Sequence, residues 1–99
     1  MHFSDFTSLI YQEYEFINVA FTNSNLVNSK EENQGSAMVF CFGLMHSLSE
    51  SDTLRCFGEH YQSVMDDPEN PNSHLNIRSF ISNGWKGVLI NQSALKPKL

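Results

Sequence analysis

The chain has 99 residues and a formal net charge of −5, from 6 Lys and Arg against 11 Asp and Glu; charged groups make up 17% of it, below the roughly 25% of an average soluble protein. Such a balance leaves no electrostatic footprint for a nucleic acid or an anionic membrane surface, and it excludes both as expected partners. The length suits one domain over residues 1–99, with a core large enough to fold without metal or disulfide staples.

Ser4 is placed to cap a first helix, with Asp5 at its positive end. Phe6, Leu9, Ile10, Tyr14 and Ile17 recur at three and four, one helical face, and the helix is expected to end near Glu15. Phe16 to Phe21 leans towards strand. Thr22-Asn23-Ser24-Asn25 reads as a turn and Leu26-Val27-Asn28 as a short returning strand. A polar loop from Asn28 to Gly35 leads into the most apolar stretch of the chain.

That stretch, Ala37 to Met45, is too short to span a bilayer. A segment without a polar face must be enclosed by protein. A fully buried strand is an alternative for so short a run; Ser36 as a cap and the Ala, Met and Leu content favour helix. Ser49 and Asp52 resemble a capping box. Leu54, Phe57, Tyr61, Val64 and Met65 follow as the face of one amphipathic helix that stops at Asp66-Asp67-Pro68. Ser73 is expected to cap a last helix with Ile77, Phe80 and Ile81 inward, ended by Gly84. Gly87 to Ile90, Asn91-Gln92 and Ser93 to Leu95 read as strand, turn and short strand, and residues 96–99 as a frayed tail.

The expected fold is α+β: about four helices packed around a buried central helix, with a small antiparallel sheet from one or two short hairpins. Cys41 and Cys56 form no CxxC or zinc spacing, and neither do His46, His60 and His74, so no metal or cofactor is expected. Glu31-Glu32 and Asp66-Asp67 read as solvated acidic pairs. Cys56 and His60 lie four apart, but no oxyanion element accompanies them, and no catalytic residue is assigned. No signal peptide is visible after Met1, which makes the cytoplasm the default location.

One constellation could bind a ligand. His74 and Arg78 share a helical face with Asn76 beside the start of the last helix, where free backbone N–H groups favour an anion. The structural alternative has His74 and Asn76 bracing the helix start while Arg78 pairs with Asp66 or Asp67. A second group, Asn23 and Asn33 within a stretch rich in Asn, could line a polar pocket or simply support turns.

Several short runs carry a family likeness. They are Ala20-Phe21-Thr22-Asn23 with Asn28, Asn33-Gln34-Gly35-Ser36, Leu48-Ser49, Thr53-Leu54 and Phe57-Gly58-Glu59-His60-Tyr61. They continue with His74, Asn76-Ile77-Arg78, Gly84-Trp85-Lys86-Gly87-Val88 and Ala94-Leu95. In this order and spacing the chain resembles the HopJ type III effector proteins over almost its whole length. Relatives tend to carry Gly in two turns where this chain has Ser24 and Gln92, so both turns are expected to rest on Asn (Asn23 or Asn25, and Asn91). The resemblance implies no reaction. It leaves a non-catalytic domain that binds a protein or a small anionic ligand, with type III export into a host cell implied by the family's name alone. The alternative is a small enzyme or anion-binding regulator using His74, Asn76 and Arg78.

Overall fold

The computed structural model describes residues 2–98, so Met1 and the Leu99 end of the expected frayed tail lie outside the described residues. Helix α1 (Phe3–Glu13) runs into β1 (Tyr14–Phe16); β2 (Phe21–Asn23) and β3 (Leu26–Asn28) form a hairpin; α2 (Gln34–Met45), α3 (Glu50–Arg55), α4 (Glu59–Asp66) and α5 (Leu75–Asn83) follow, then β4 (Val88–Leu89) and β5 (Leu95–Pro97). The class is α+β, with five α-helices among the described residues and small antiparallel sheets.

The run from Ala37 lies in α2, where Ala37 to Cys41 and Gly43 are all buried. Phe40 gathers the aromatic core. Its ring lies 5.9 Å from Phe21, 5.8 Å from Phe57, 5.2 Å from Phe80 and 6.1 Å from Trp85, so it joins β2, the α3–α4 junction, α5 and the segment after it. Gly43 admits the Trp85 ring: a Cβ there would sit 2.8 Å from it. The indole N–H in turn donates to the Leu48 carbonyl at 3.1 Å. Among the described residues no helix is long and apolar enough to cross a membrane.

The helix starts differ from the caps read in the sequence. Helix α1 begins at Phe3 with His2 at its cap, not Ser4, and the Asp5 carboxylate accepts the His2 backbone N–H at 3.1 Å. Helix α2 begins at Gln34 after a left-handed Asn33 (φ 51°), because the Gln34 amide latches onto the Val19 N–H and C=O at 2.9 and 3.0 Å and fixes the entry two residues before Ser36. Ser49 does cap α3, accepting from the Asp52 N–H. The single amphipathic helix expected over residues 50–65 is broken into α3 and α4. Gly58 takes φ 59° and ψ −130°, a conformation open to glycine, and the break lets Phe57 turn inward to 2% exposure.

The sheet is divided. One sheet has the order β3-β2-β4, with Thr22 opposite both Val27 and Leu89; the other pairs β1 with β5. The expected hairpin between residues 87–90 and 93–95 does not form, since the Asn91 side chain accepts the Ser93 N–H and bends the chain through a 3-10 turn (Gln92–Ala94) that sends β5 to β1 instead. That pairing also corrects the frayed tail: Lys96 and Pro97 are held opposite Glu15 and Tyr14, and the Lys98 N–H donates to Glu13 O at 3.0 Å. In the β2–β3 turn it is Ser24, not Asn23 or Asn25, that adopts the left-handed conformation (φ 55°).

Candidate functional site

Three features of the surface and its supports bear on function. The first is a cleft of about 380 Å³ where the starts of α2 and α5 approach each other. Asn33, Gly35 and Ser36 line one side and His74 to Ile77 the other, with Phe3, Phe57 and His60 beneath and beside them. Its geometry follows from local chemistry. Glu59 accepts the Phe3 backbone N–H and thereby ties the start of α1 to the start of α4. Gly35 leaves room for the Phe3 ring, 3.0 Å from where its Cβ would be.

His74 stands at the cap of α5 in the left-handed region, φ 49°, an uncommon conformation for any residue but glycine. Its ring centroid is 5.2 Å from that of His60, and the His60 ring meets Phe3 edge-on at 5.1 Å. Removal from water, then the nearby charges of His60 and Arg78, hold the His74 imidazole below its ordinary pKa. Glu59 is lowered too, but by a different cause: the Phe3 N–H it accepts favours its charged carboxylate.

The second feature is an internal amide network. Asn76 is 5% exposed and Asn23 fully buried. The Asn76 Nδ2 donates to Asn28 Oδ1 at 3.0 Å, while its Oδ1 accepts from Asn23 at 3.1 Å and from Asn28 at 3.4 Å. Asn33 donates to the same Asn28 oxygen at 2.8 Å, and Ser79 donates to Asn23 Oδ1 at 3.1 Å. No buried side-chain nitrogen or oxygen among the described residues lacks a partner.

The residues singled out in the sequence therefore separate. His74 and Asn76 reach the cleft, but Asn76 spends its amide on Asn28 and Asn23. Arg78 lies elsewhere: its guanidinium donates to Ser73 O (2.7 Å), Ser73 Oγ (3.2 Å) and Pro68 O (3.2 Å), closing the loop before α5 instead of pairing with Asp66 or Asp67. Asn23 and Asn33 are joined through Asn28 and Asn76, Asn23 inside and Asn33 at the cleft edge. His60 enters the cleft although nothing in the sequence linked it to His74. Cys56 turns its thiol to the Asp52 carbonyl, and burial, then the Asp52 charge, pushes its pKa up; Cys41 is pushed up to about 11 by burial. No group of three His, Cys, Asp or Glu side chains fit to hold a metal is found among the described residues.

The third feature is the outer face of the three-stranded sheet. Strand alternation puts Phe21, Asn23, Asn28 and Val88 inward and leaves Val27, Thr22 and Leu89 side by side outward. Val27 is 80% exposed and Leu89 73%. Val27 and Leu89 were each read as strand residues; that they flank one threonine required the β2–β4 pairing, which local sequence does not carry.

The family model for the HopJ type III effector protein matches residues 1–95. A solved structure described as the crystal structure of unknown function protein VPA0580 superposes with a TM-score of 0.92 at 41% identity, covering 99% of this chain and 82% of that one. No curated protein matches. The fold, its order of elements and these likenesses agree, and the chain belongs to the HopJ type III effector protein family.

Proposed function

We propose that the protein is a non-catalytic binding domain that engages a partner protein through the outer face of its three-stranded sheet. The observation that supports this reading is the row Val27, Thr22, Leu89: two apolar side chains, 80% and 73% exposed, each directly opposite Thr22, at both edges of one small sheet. Single exposed apolar residues are ordinary, whereas two on one face of a small sheet with open edges suit a contact surface. Of the polar groups singled out in the sequence, the Asn23 and Asn76 amides bond to each other and to Asn28, and the Arg78 guanidinium closes the loop before α5. The family description brings type III delivery with it, and on that reading the partner is a protein of the receiving cell.

A photo-crosslinking side chain placed at Leu89, and separately at Gln62 on α4, tests the surface. Discrete protein adducts from Leu89 that Val27→Lys abolishes are expected. Equal labelling from both positions, or none from either, would remove the proposal. Fusing residues 1–50 to a reporter tests delivery on its own: export that depends on a type III apparatus supports it, and retention of the reporter removes delivery while leaving the binding surface in place.

A further inference from the structure

The cleft gathers three hydrogen-bonding side chains that the fold itself does not use. The His60 and His74 rings, with centroids 5.2 Å apart, both line it. Neither imidazole hydrogen-bonds to another group among the described residues, unlike His46, which meets the Tyr14 hydroxyl at 2.8 Å. The Ser36 hydroxyl, on the opposite side, is likewise unbonded; since no buried side-chain oxygen among the described residues lacks a partner, this one opens to the cleft. By contrast, the Asn76 amide beside them is bonded to Asn28 and Asn23 and holds the α5 wall in place.

The lining is also divided by chemistry. Phe3 and Leu75 offer apolar surface, over a floor of buried Phe57 and Ile77. No carboxylate lines the cleft, so nothing in it attracts a cationic group, whereas imidazolium and hydroxyl hydrogens suit an oxyanion. Its volume of about 380 Å³ falls in the roughly 300–1,000 Å³ of small-molecule sites, which pair apolar walls with a few convergent polar groups.

We propose that this cleft binds a small aromatic acid, with the ring against Phe3 and Leu75 and the carboxylate among Ser36, His60 and His74. The charged groups around the pair favour an anion. Glu59, next to His60, has its carboxylate engaged by the Phe3 N–H and faces His2; Arg78, beside His74, adds positive charge; the α2 side contributes only Asn33, Gly35 and Ser36. Two adjacent imidazolium ions repel each other, and a carboxylate between them removes that penalty. Binding therefore takes up protons, and affinity rises as the pH falls through the imidazole range. The site is separate from the outer sheet face and stands or falls independently of it.

The test is a titration of the ¹⁵N-labelled full chain with 2-naphthoate, followed by amide chemical shifts. The neutral 2-naphthalenemethanol and inorganic phosphate are titrated beside it, and the variants are His60→Phe, His74→Asn and the double variant. Phe at 60 keeps a ring to pack on Phe3 while deleting both nitrogens, and Asn at 74 tolerates the left-handed backbone; circular dichroism verifies each fold. The expected result is saturable shifts centred on Gly35, Ser36 and Leu75, with naphthoate affinity at least about threefold higher near pH 6 than near pH 8. Either single variant, the alcohol and phosphate should each bind about tenfold more weakly, and the double variant should lose the pH dependence. Shifts centred elsewhere or failing to saturate, or an affinity independent of pH in the wild type, would overturn the site. Equal affinity for the alcohol would remove the carboxylate's role, and equal affinity for phosphate the aromatic one; either result overturns the proposal.

Discussion

Asn76 at the start of α5 and Asn28 at the end of β3, forty-eight residues apart in sequence, exchange side-chain hydrogen bonds at 3.0 and 3.4 Å inside the protein. The small sheet is thus fastened to the last helix by amides, where most domains of this size would use hydrocarbon. Buried polar networks of this kind rigidify only when complete, and loss of one member strands the others.

Asn76→Ala should therefore cost about 2–3 kcal/mol, because Asn28 and Asn23 each lose a partner while buried. Asn33→Gly, which keeps the left-handed backbone at that position, removes a single donor to Asn28 and should cost about 1 kcal/mol or less. Urea denaturation with unchanged slope measures both. Equal small losses would show that the network contributes little.

Gly43→Ala sets two effects against each other. Alanine is favoured over glycine in a helix by up to about 1 kcal/mol, yet its Cβ would lie 2.8 Å from the Trp85 ring and 2.9 Å from Thr53 Oγ1. Overpacking of a filled core costs about 1–3 kcal/mol, so a net loss is expected, read as a lower melting temperature together with a shift in Trp85 fluorescence. A stabilised variant with an unchanged spectrum would mean that the ring yields freely.

Acidification should weaken the fold in two windows. His74 has its pKa lowered in the folded state, so the unfolded chain binds more protons; stability is full above the usual imidazole value of 6.5 and falls as the pH drops through the lowered folded value. Glu59, lowered from 4.5, acts likewise below that pH. Melting temperature against pH should lose its upper slope in His74→Asn and its lower slope in Glu59→Gln. Identical profiles for wild type and both variants would contradict these assignments.

Thiol reactivity should be unequal. A neutral disulfide reagent is expected to modify Cys56 slowly in the native protein and to leave Cys41 untouched until it unfolds, since Cys41 is buried with its pKa pushed up to about 11. Cys56→Ser should abolish native-state labelling. Persistent labelling in that variant would place Cys41 within reach of solvent.

The helical spacing of Phe6 and Ile10, of Tyr61 and Val64, and of Ile77 and Phe80 was legible because each signal is local and repeats every turn. Gly58 hid the break between α3 and α4: glycine inside an apolar pattern lowers helix preference without saying where the chain turns. The caps expected at Ser4 and Ser36 failed for a related reason, while that at Ser49 held: Gln34 and Glu59 fix their neighbours through bonds to Val19 and Phe3 that only tertiary structure supplies. Strand pairing was the least legible. Residues 87–90 and 93–95 read as mates in sequence, yet a single Asn91 side chain redirects the chain so that β5 pairs with β1. At the site, the sequence located His74 and Asn76 but paired them with Arg78; Asn76 bonds to Asn28, Arg78 to Ser73, and His74 faces His60.

The double variant Val27→Lys with Leu89→Lys tests the central reading most directly, by recording thermal stability and partner capture on the same protein. Both side chains are exposed and lie outside the core, so stability should change by no more than about 0.5 kcal/mol per substitution, a few degrees in melting temperature, while capture is lost. A protein that melts as before and still captures its partner would show that this face is not the binding surface.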